Sequence, residues 1–506
     1  MKELISPIIG KVTDTTARVL LEYDSDGEVI VTLSAHGQAD KILTQQVKAR
    51  KPAIFRFSNL TSNMKYTVQV SPYSKTLKSQ FKTLNYEVKD LRICWVSCND
   101  ASKYEKLGQR NLWLNLAKEV AEEQYDLIVH MGDQVYLDSD QWYGNRNNVY
   151  SRVQEQVFNK YPKEEWKLHN EEVLELIRDE YRRAWNFPQT AYILANISNI
   201  MIFDDHDIRN DWGYLKDDWD PNSNKFDYHY GQLCRQVYYE YQRQLRDDSL
   251  DLNDLSKVKE EYFTLKLGKI GLFFCELRGD RTWHRQADFD ESKIMTQKQW
   301  DLLDQSLNQE FQDVENYVFV SQSTVIFLNH KLNQIFGKSA RDYLEQWVHH
   351  EDCQIKLLKK LYDWKFDPKF NGREITIVCG DLHLGGHTDI YFKKKQAFKQ
   401  FTSSAITNGL KQGRERILNH LGYTISEIMP QGEFSYDHHG WTGQNNYGAT
   451  HFRNIVNKNK QRVNSVECWS IIAKDKEESN PFIIQPKIDN FTYVKGVDFS
   501  VCCTIF

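Results

Sequence analysis

Four carboxylates, an imidazole and an amide crowd into Asp204-Asp205-His206-Asp207-Ile208-Arg209-Asn210-Asp211, directly behind the apolar run Ile200-Met201-Ile202-Phe203. Like charges packed this closely are costly unless something positive sits among them, and a divalent or trivalent cation is the simplest such thing. The design recurs. Leu127-Ile128-Val129-His130-Met131 leads into Gly132-Asp133-Gln134-Val135-Tyr136, and Ile375-Thr376-Ile377-Val378-Cys379 leads into Gly380-Asp381-Leu382-His383. A fourth apolar run, Leu91 to Val96, delivers Ser97-Cys98-Asn99-Asp100.

A carboxylate such as Asp133 can bridge two cations, and a phenolate such as Tyr136 suits ferric iron. A metal would deprotonate the Cys98 thiol outright. Asp205 is a ligand candidate and Asn210 could complete a shell, while Asp381 and His383 share the end of another strand. His206 is placed to protonate a leaving oxygen or touch a phosphoryl group, with Asp207 or Asp204 orienting its other nitrogen. Arg278 and Arg281 follow the run Lys269 to Glu276, and guanidinium groups grip phosphate oxygens in pairs; a surface salt bridge is the alternative. Each residue alone has a plainer reading: a strand-end Asp capping a helix, a core Tyr or Cys, an acidic helix start. The repetition at four strand ends favours a site. His387 could join it, His438-His439 reads as a turn or a substrate loop, and His349-His350 as solvated surface.

These side chains need strands to carry them. Residues 1 to about 88 alternate apolar and polar, as in Ala17 to Tyr23 and Tyr66 to Val70, with turn residues between, which predicts a small β-sandwich. From about residue 89 the pattern changes to strands alternating with helical segments, predicted over 104–124, 150–186, 228–247, from Thr296 onward and over 340–364, with strands at 317–320 and 325–328. Such alternation predicts a layered α/β domain, in which ligands bind beyond the carboxyl ends of the strands.

The 506 residues are enough for two or three domains, and 40% hydrophobic content with 13% aromatics can build large cores. The net charge of −5 and the lack of any Lys/Arg-rich block argue against nucleic acid as the main partner. The first residues show no secretory signal pattern and no apolar run reaches the ~20 residues of a membrane helix. Nine cysteines without paired spacing fit reduced thiols, so the expected location is cytoplasmic. Cys503-Thr504-Ile505-Phe506 has the C-a-a-X form of a prenylation signal and Cys502 could take a second lipid, so membrane-surface association through Cys503 is an expectation. A glycine-rich phosphate loop and a Gly-x-Ser-x-Gly elbow are both missing, which favours metal-activated water over a serine nucleophile.

In order, Ser97-Cys98, Gly132-Asp133-Gln134-Val135-Tyr136, Asp204-Asp205-His206-Asp207 with Asn210-Asp211-Trp212, Leu277-Arg278 with Arg281, Gln299-Trp300 and Gly380-Asp381-Leu382-His383 resemble the PhoD-like alkaline phosphatase family of the metallophosphoesterase group. Residues 1–88 resemble a fibronectin-III-like sandwich, and residues 89–506 the PhoD-like metallophosphatase domain. The resemblance implies an α/β class with a four-layer α/β/β/α core and hydrolysis of phosphate esters, mono- or diester. It implies Cys98, Asp133 and Tyr136 as iron ligands, with Asp205, Asn210, Asp381 and His383 around calcium or a second metal; zinc and manganese are the alternatives. Glu276 departs from it, since relatives tend to carry Asp there. A different class of function also fits the sequence: a membrane-surface adaptor with a vestigial metal site.

Overall fold

The alternation at the N-terminus folds, in a computed structural model, into seven short strands: β1 (Glu3–Ile9), β2 (Ala17–Tyr23), β3 (Gly27–Ser34), β4 (Lys41–Val47), β5 (Ala53–Phe57), β6 (Lys65–Ser71) and β7 (Ser79–Lys82). They pair antiparallel in two sheets, β1-β2-β5 and β4-β3-β6-β7, closed over Val19, Leu21, Val31, Leu33, Phe57 and Tyr66. The structure describes residues 1–72, 78–85, 88, 90–108, 111–139, 148–258, 260–281, 293–327, 346–410, 433–456, 462–472 and 482–484.

Every residue of β2 is buried, because the outer face of this sheet is covered too. Ile5, Ile8, Leu20 and Ile54 pack into the core of the following α/β region. The polar positions of β2 are therefore satisfied inside the protein. Glu22 pairs with Arg182 and accepts from Tyr241 Oη at 2.7 Å, and Arg18 donates to the Gln244 carbonyl at 2.9 Å.

The α/β region holds thirteen further strands among the described residues: β8 (Asp90–Val96), β9 (Leu127–Met131), β10 (Ser198–Ile202), β11 (Phe263–Leu267), β12 (Ile270–Phe274), β13 (Asn316–Ser321), β14 (Glu374–Cys379), β15 (Gly385–Phe392), β16 (Lys395–Ser403), β17 (Phe434–Thr442), β18 (Asn446–Val456), β19 (Arg462–Ile472) and β20 (Phe482–Ile484). One sheet runs β10-β9-β8-β18-β19-β20, the other β11-β12-β13-β14-β16-β15-β17. Within them β8, β9 and β10 are parallel, as are β12, β13, β14 and β16.

The two sheets lie face to face, Ile93, Trp95, Val129 and Met131 against Leu272, Phe274, Val318 and Val378. Helices Leu112–Ala121, Asn170–Trp185, Pro188–Asn196 and Asp227–Tyr241 cover the outside of the first sheet, and Gln297–Gln305 and Glu351–Lys365 the outside of the second. The protein is thus a four-layer α/β/β/α core with a β-sandwich docked in front. Strands buried on both faces are largely apolar, which is why they read as near-continuous runs, and the polar exceptions such as His130 and Asn199 bond to each other inside. Their parallel alignment brings the ends of β8, β9, β10, β12 and β14 to one edge.

Several expectations change. Val325 and Ile326 form a bend and Phe327 is irregular, rather than a strand, and Leu328 lies outside the described residues. His438 and His439 belong to β17, not to a turn, with His438 bound to Thr388 Oγ1 and the Phe327 carbonyl at 2.8 and 2.7 Å. His350 is buried rather than solvated. Cys502 and Cys503 lie outside the described residues. Among the described residues no helix is long and apolar enough to cross a membrane.

Candidate metal centre

The chain segments leaving β8, β9 and β14 at the shared edge turn abruptly. Cys98, Asp133, Asp381 and His383 all hold φ between 54° and 66°, a left-handed conformation that non-glycine residues adopt only at a cost of roughly 1 kcal/mol or more. Gly132 holds φ 101°, and a Cβ there would lie 2.3 Å from Asp204 Cβ. These turns aim the side chains at one another.

Three groups form, in each of which the donor atoms lie within 4.8 Å of one another: Cys98, Asp133 and His383; Asp133, Asp205 and His206; Asp204, Asp205 and Asp381. Asp133 belongs to the first two and Asp205 to the last two, so the groups form a chain. Tyr136 Oη joins the first group, 3.0 Å from Asp133 Oδ2 and 3.2 Å from His383 Nε2. Cys98 Sγ lies 3.0 Å from Ser404 Oγ, whose oxygen also accepts from the His383 N–H at 3.2 Å.

The electrostatics of the cluster call for positive charge. Burial pushes the Asp133 and Asp204 carboxyls well above their ordinary range, with neighbouring carboxylates adding to the shift against the pull of His206 and Arg278 respectively. Asp381 is raised by burial as well. Burial likewise lifts the Cys98 thiol and the Tyr136 phenol, the Asp133 charge adding to both. His383 is pushed down to about 3 by burial and by the neighbouring His206 charge, leaving the neutral imidazole that binds metals. Among the described residues the buried Asp204 Oδ2 has no hydrogen-bond partner. A thiol, a phenol, an imidazole and carboxylates, one with a buried oxygen left unbonded, are a donor set that fits cations: the Cys98, Tyr136 and His383 end suits a transition metal, and the all-carboxylate end, which the Arg278 guanidinium also faces, a hard ion.

His206 faces this cluster from the loop after β10. Its backbone N–H donates to Asp133 Oδ1 at 3.1 Å, and its ring stacks on Tyr136 at 4.1 Å between centroids. The partner of its Nδ1 is Asp138 Oδ1, 2.7 Å away, not Asp207 or Asp204. Asp207 instead accepts the backbone N–H groups of Asp133, Gln134 and Asp204 at 2.9–3.2 Å, tying two strand ends together. Burial alone would lower the His206 pKa, but the charges of Asp138 and Asp205 outweigh it and raise it well above the ordinary histidine value.

Arg278 is no surface salt bridge. It is 1% exposed and pairs with Asp204, with Asp381 at 2.8 Å and with Asp205 at 3.2 Å. Arg281 is buried, its guanidinium 6.0 Å from the Tyr214 ring. Asn210 is exposed; its backbone N–H, rather than its amide, is tied to Asp138 at 2.6 Å. His387 is buried in β15, and among the described residues neither ring nitrogen has a hydrogen-bond partner.

Reading residue types alone missed Asp138, Ser404, Gln322 and Gln346. Asp138 follows Asp133 by five residues in the same loop, a signal that was available. Gln346 Nε2, 3.2 Å from Asp381 Oδ2, and Gln322 arrive from distant segments without any local mark.

A family model for PhoD-like phosphatase matches residues 93–453. A solved structure titled "Structure of PhoD" aligns over 96% of this chain and 93% of its own, with a TM-score of 0.65 at 12% identity, a likeness of fold. A fibronectin type III domain of human collagen XX aligns over 16% of this chain and 88% of its own at 20% identity, with a TM-score of 0.14 that carries no argument. No curated protein matches the chain in sequence. With the family model spanning well over half the residues, and with all three donor groups inside that span, the chain belongs to the PhoD-like phosphatase family.

Proposed function

We propose that this protein hydrolyses phosphate esters at a multinuclear metal centre held by Cys98, Asp133, Tyr136, Asp205, Asn210, Asp381 and His383. The observation that carries the reading is the chain of three donor groups sharing Asp133 and Asp205. A shared carboxylate is what neighbouring ions require. Iron at the Cys98, Tyr136 and His383 end and calcium at the carboxylate end are the favoured pair, with zinc or manganese as alternatives. When bound, the ions supply Lewis acidity that makes a water nucleophilic near neutral pH and offsets charge on phosphoryl oxygens.

The chain's own groups do the rest. His206, held protonated beside Asp138 and Asp205, donates a proton to the leaving oxygen. Arg278 and Arg281 bear on the phosphoryl oxygens, where a fixed guanidinium stabilises developing charge without reorganising. Attack is in line, with no phosphoryl group passing to the protein. A chiral phosphate ester therefore gives inversion at phosphorus, and retention contradicts the scheme. The broader test assays phosphate mono- and diesters with added iron, calcium, manganese or zinc, beside metal analysis of the purified protein. Stoichiometric metal and ester turnover are expected; protein free of metal and inert on every ester overturns the reading and favours a vestigial site.

A further inference from the structure

Four successive backbone N–H groups in the turn after β12, those of Glu276, Leu277, Arg278 and Gly279, bond to side chains rather than to a sheet or helix. Glu276 N–H donates to Gln299 Oε1 at 2.9 Å, and Leu277 N–H to Gln322 Oε1 at 2.5 Å. The Arg278 and Gly279 N–H groups both donate to Glu276 Oε1 at 2.7 Å. The turn is built from outside as well. Gln299 Nε2 returns a bond to the Glu276 carbonyl at 2.9 Å and another to Asp280 at 2.7 Å, while Asp280 accepts the Thr296 N–H at 2.9 Å. On the other side Gly213 is so close that a Cβ would lie 2.3 Å from the Arg278 carbonyl oxygen.

We propose that Glu276 is the positioning residue for Arg278: its carboxylate folds the Glu276–Gly279 turn, and the turn fixes where the guanidinium points. The proposal rests on the role given to Arg278 above. Glu276 is itself 4% exposed and belongs to none of the three donor groups, and its carboxylate is bonded to the Arg278 and Gly279 N–H groups, so it acts through the arginine and not on the reaction. One oxygen serves both N–H groups, so the function needs an acceptor rather than a charge. Burial, with Asp280 and Glu261 nearby, pushes the Glu276 carboxyl up to about 7, and either protonation state keeps a carbonyl-like oxygen for the turn. The guanidinium serves three carboxylates at once, an arrangement that tolerates little error: a shift of ~1 Å at such a group can cost about 10²-fold in rate.

The experiment measures kcat/KM on p-nitrophenyl phosphate for the metal-loaded full chain carrying Glu276→Met, Glu276→Gln, Arg278→Gln and the Glu276→Met/Arg278→Gln pair. Glu276→Met is expected to lose about 10²-fold, Glu276→Gln to lose far less because the amide oxygen still accepts both bonds, and the pair to be no worse than Arg278→Gln alone. Equal damage from Met and Gln, or losses that multiply in the pair, overturn the proposal while leaving the Arg278 role intact. An Arg278→Gln protein as active as wild type sinks that role and the proposal with it. If Glu276→Met does not fold by thermal melting, Glu276→Ala, which lets water reach the freed N–H groups, takes its place with the same expected outcomes.

Discussion

Replacing Asp138 by Asn removes the charge that holds His206 in its protonated form while keeping the side chain's shape. The two are 2.7 Å apart and both largely buried, with side-chain exposures of 18% and 14%. A charge-assisted hydrogen bond of this kind is worth about 1.5–3 kcal/mol, and 1.36 kcal/mol corresponds to one pKa unit. The His206 pKa should therefore fall, and the rate with it by about 10–100-fold. The sign follows from the role. A group that donates a proton must carry it, so activity disappears as pH rises through the His206 pKa; lowering that pKa moves the alkaline limb of the profile to lower pH. The assay compares kcat/KM for an alkyl phosphate, whose leaving oxygen needs a proton, with p-nitrophenyl phosphate, whose leaving oxygen needs it far less. The alkyl ester should lose much more. Equal losses on both, with an unmoved alkaline limb, would refute the proton-donor assignment and leave the dyad a structural feature.

Gly132→Ala must place a Cβ 2.3 Å from Asp204 Cβ at a φ of 101°, so a loss of about 2–4 kcal/mol in denaturant unfolding is expected, and wild-type stability would show that the two strand ends can separate freely. Glu22→Ala removes the buried carboxylate that joins Arg182 to Tyr241 where the sandwich meets the α/β region, while Glu175 and Asp179 still face Arg182, and should cost about 1–3 kcal/mol by the same measurement; a neutral change would mean the ion pair adds nothing to docking. Burial holds the pKa of His387 down at about 3, whereas the unfolded chain takes up that proton near 6.5. Its contribution is nil above pH 6.5, and stability falls as pH drops from there toward 3; His387→Phe should flatten that part of the stability curve, and an unchanged curve contradicts the assignment.

The amino-acid sequence by itself determined the strands and what they carry. A strand buried on both faces is largely apolar, so β9, β10 and β14 stand out, and the carboxylates and imidazole that follow them, Asp133, Asp204, Asp205, Asp381 and His383, are marked by contrast with what precedes them. The change from period-two alternation to alternating strands and helices likewise separates the sandwich from the layers behind it. Only the tertiary structure decided who meets whom. Cys98 and the Asp381 carbonyl are 283 residues apart in the chain and 3.7 Å apart in space, a relation that no local pattern encodes. The same holds for Arg278, whose neighbours in sequence say nothing of the three carboxylates around it, and for the choice of Asp138 over Asp207 beside His206. Residue type fixes which chemistry a side chain can do. The parallel register of two facing sheets fixes where each strand ends, and so which of those chemistries share a site.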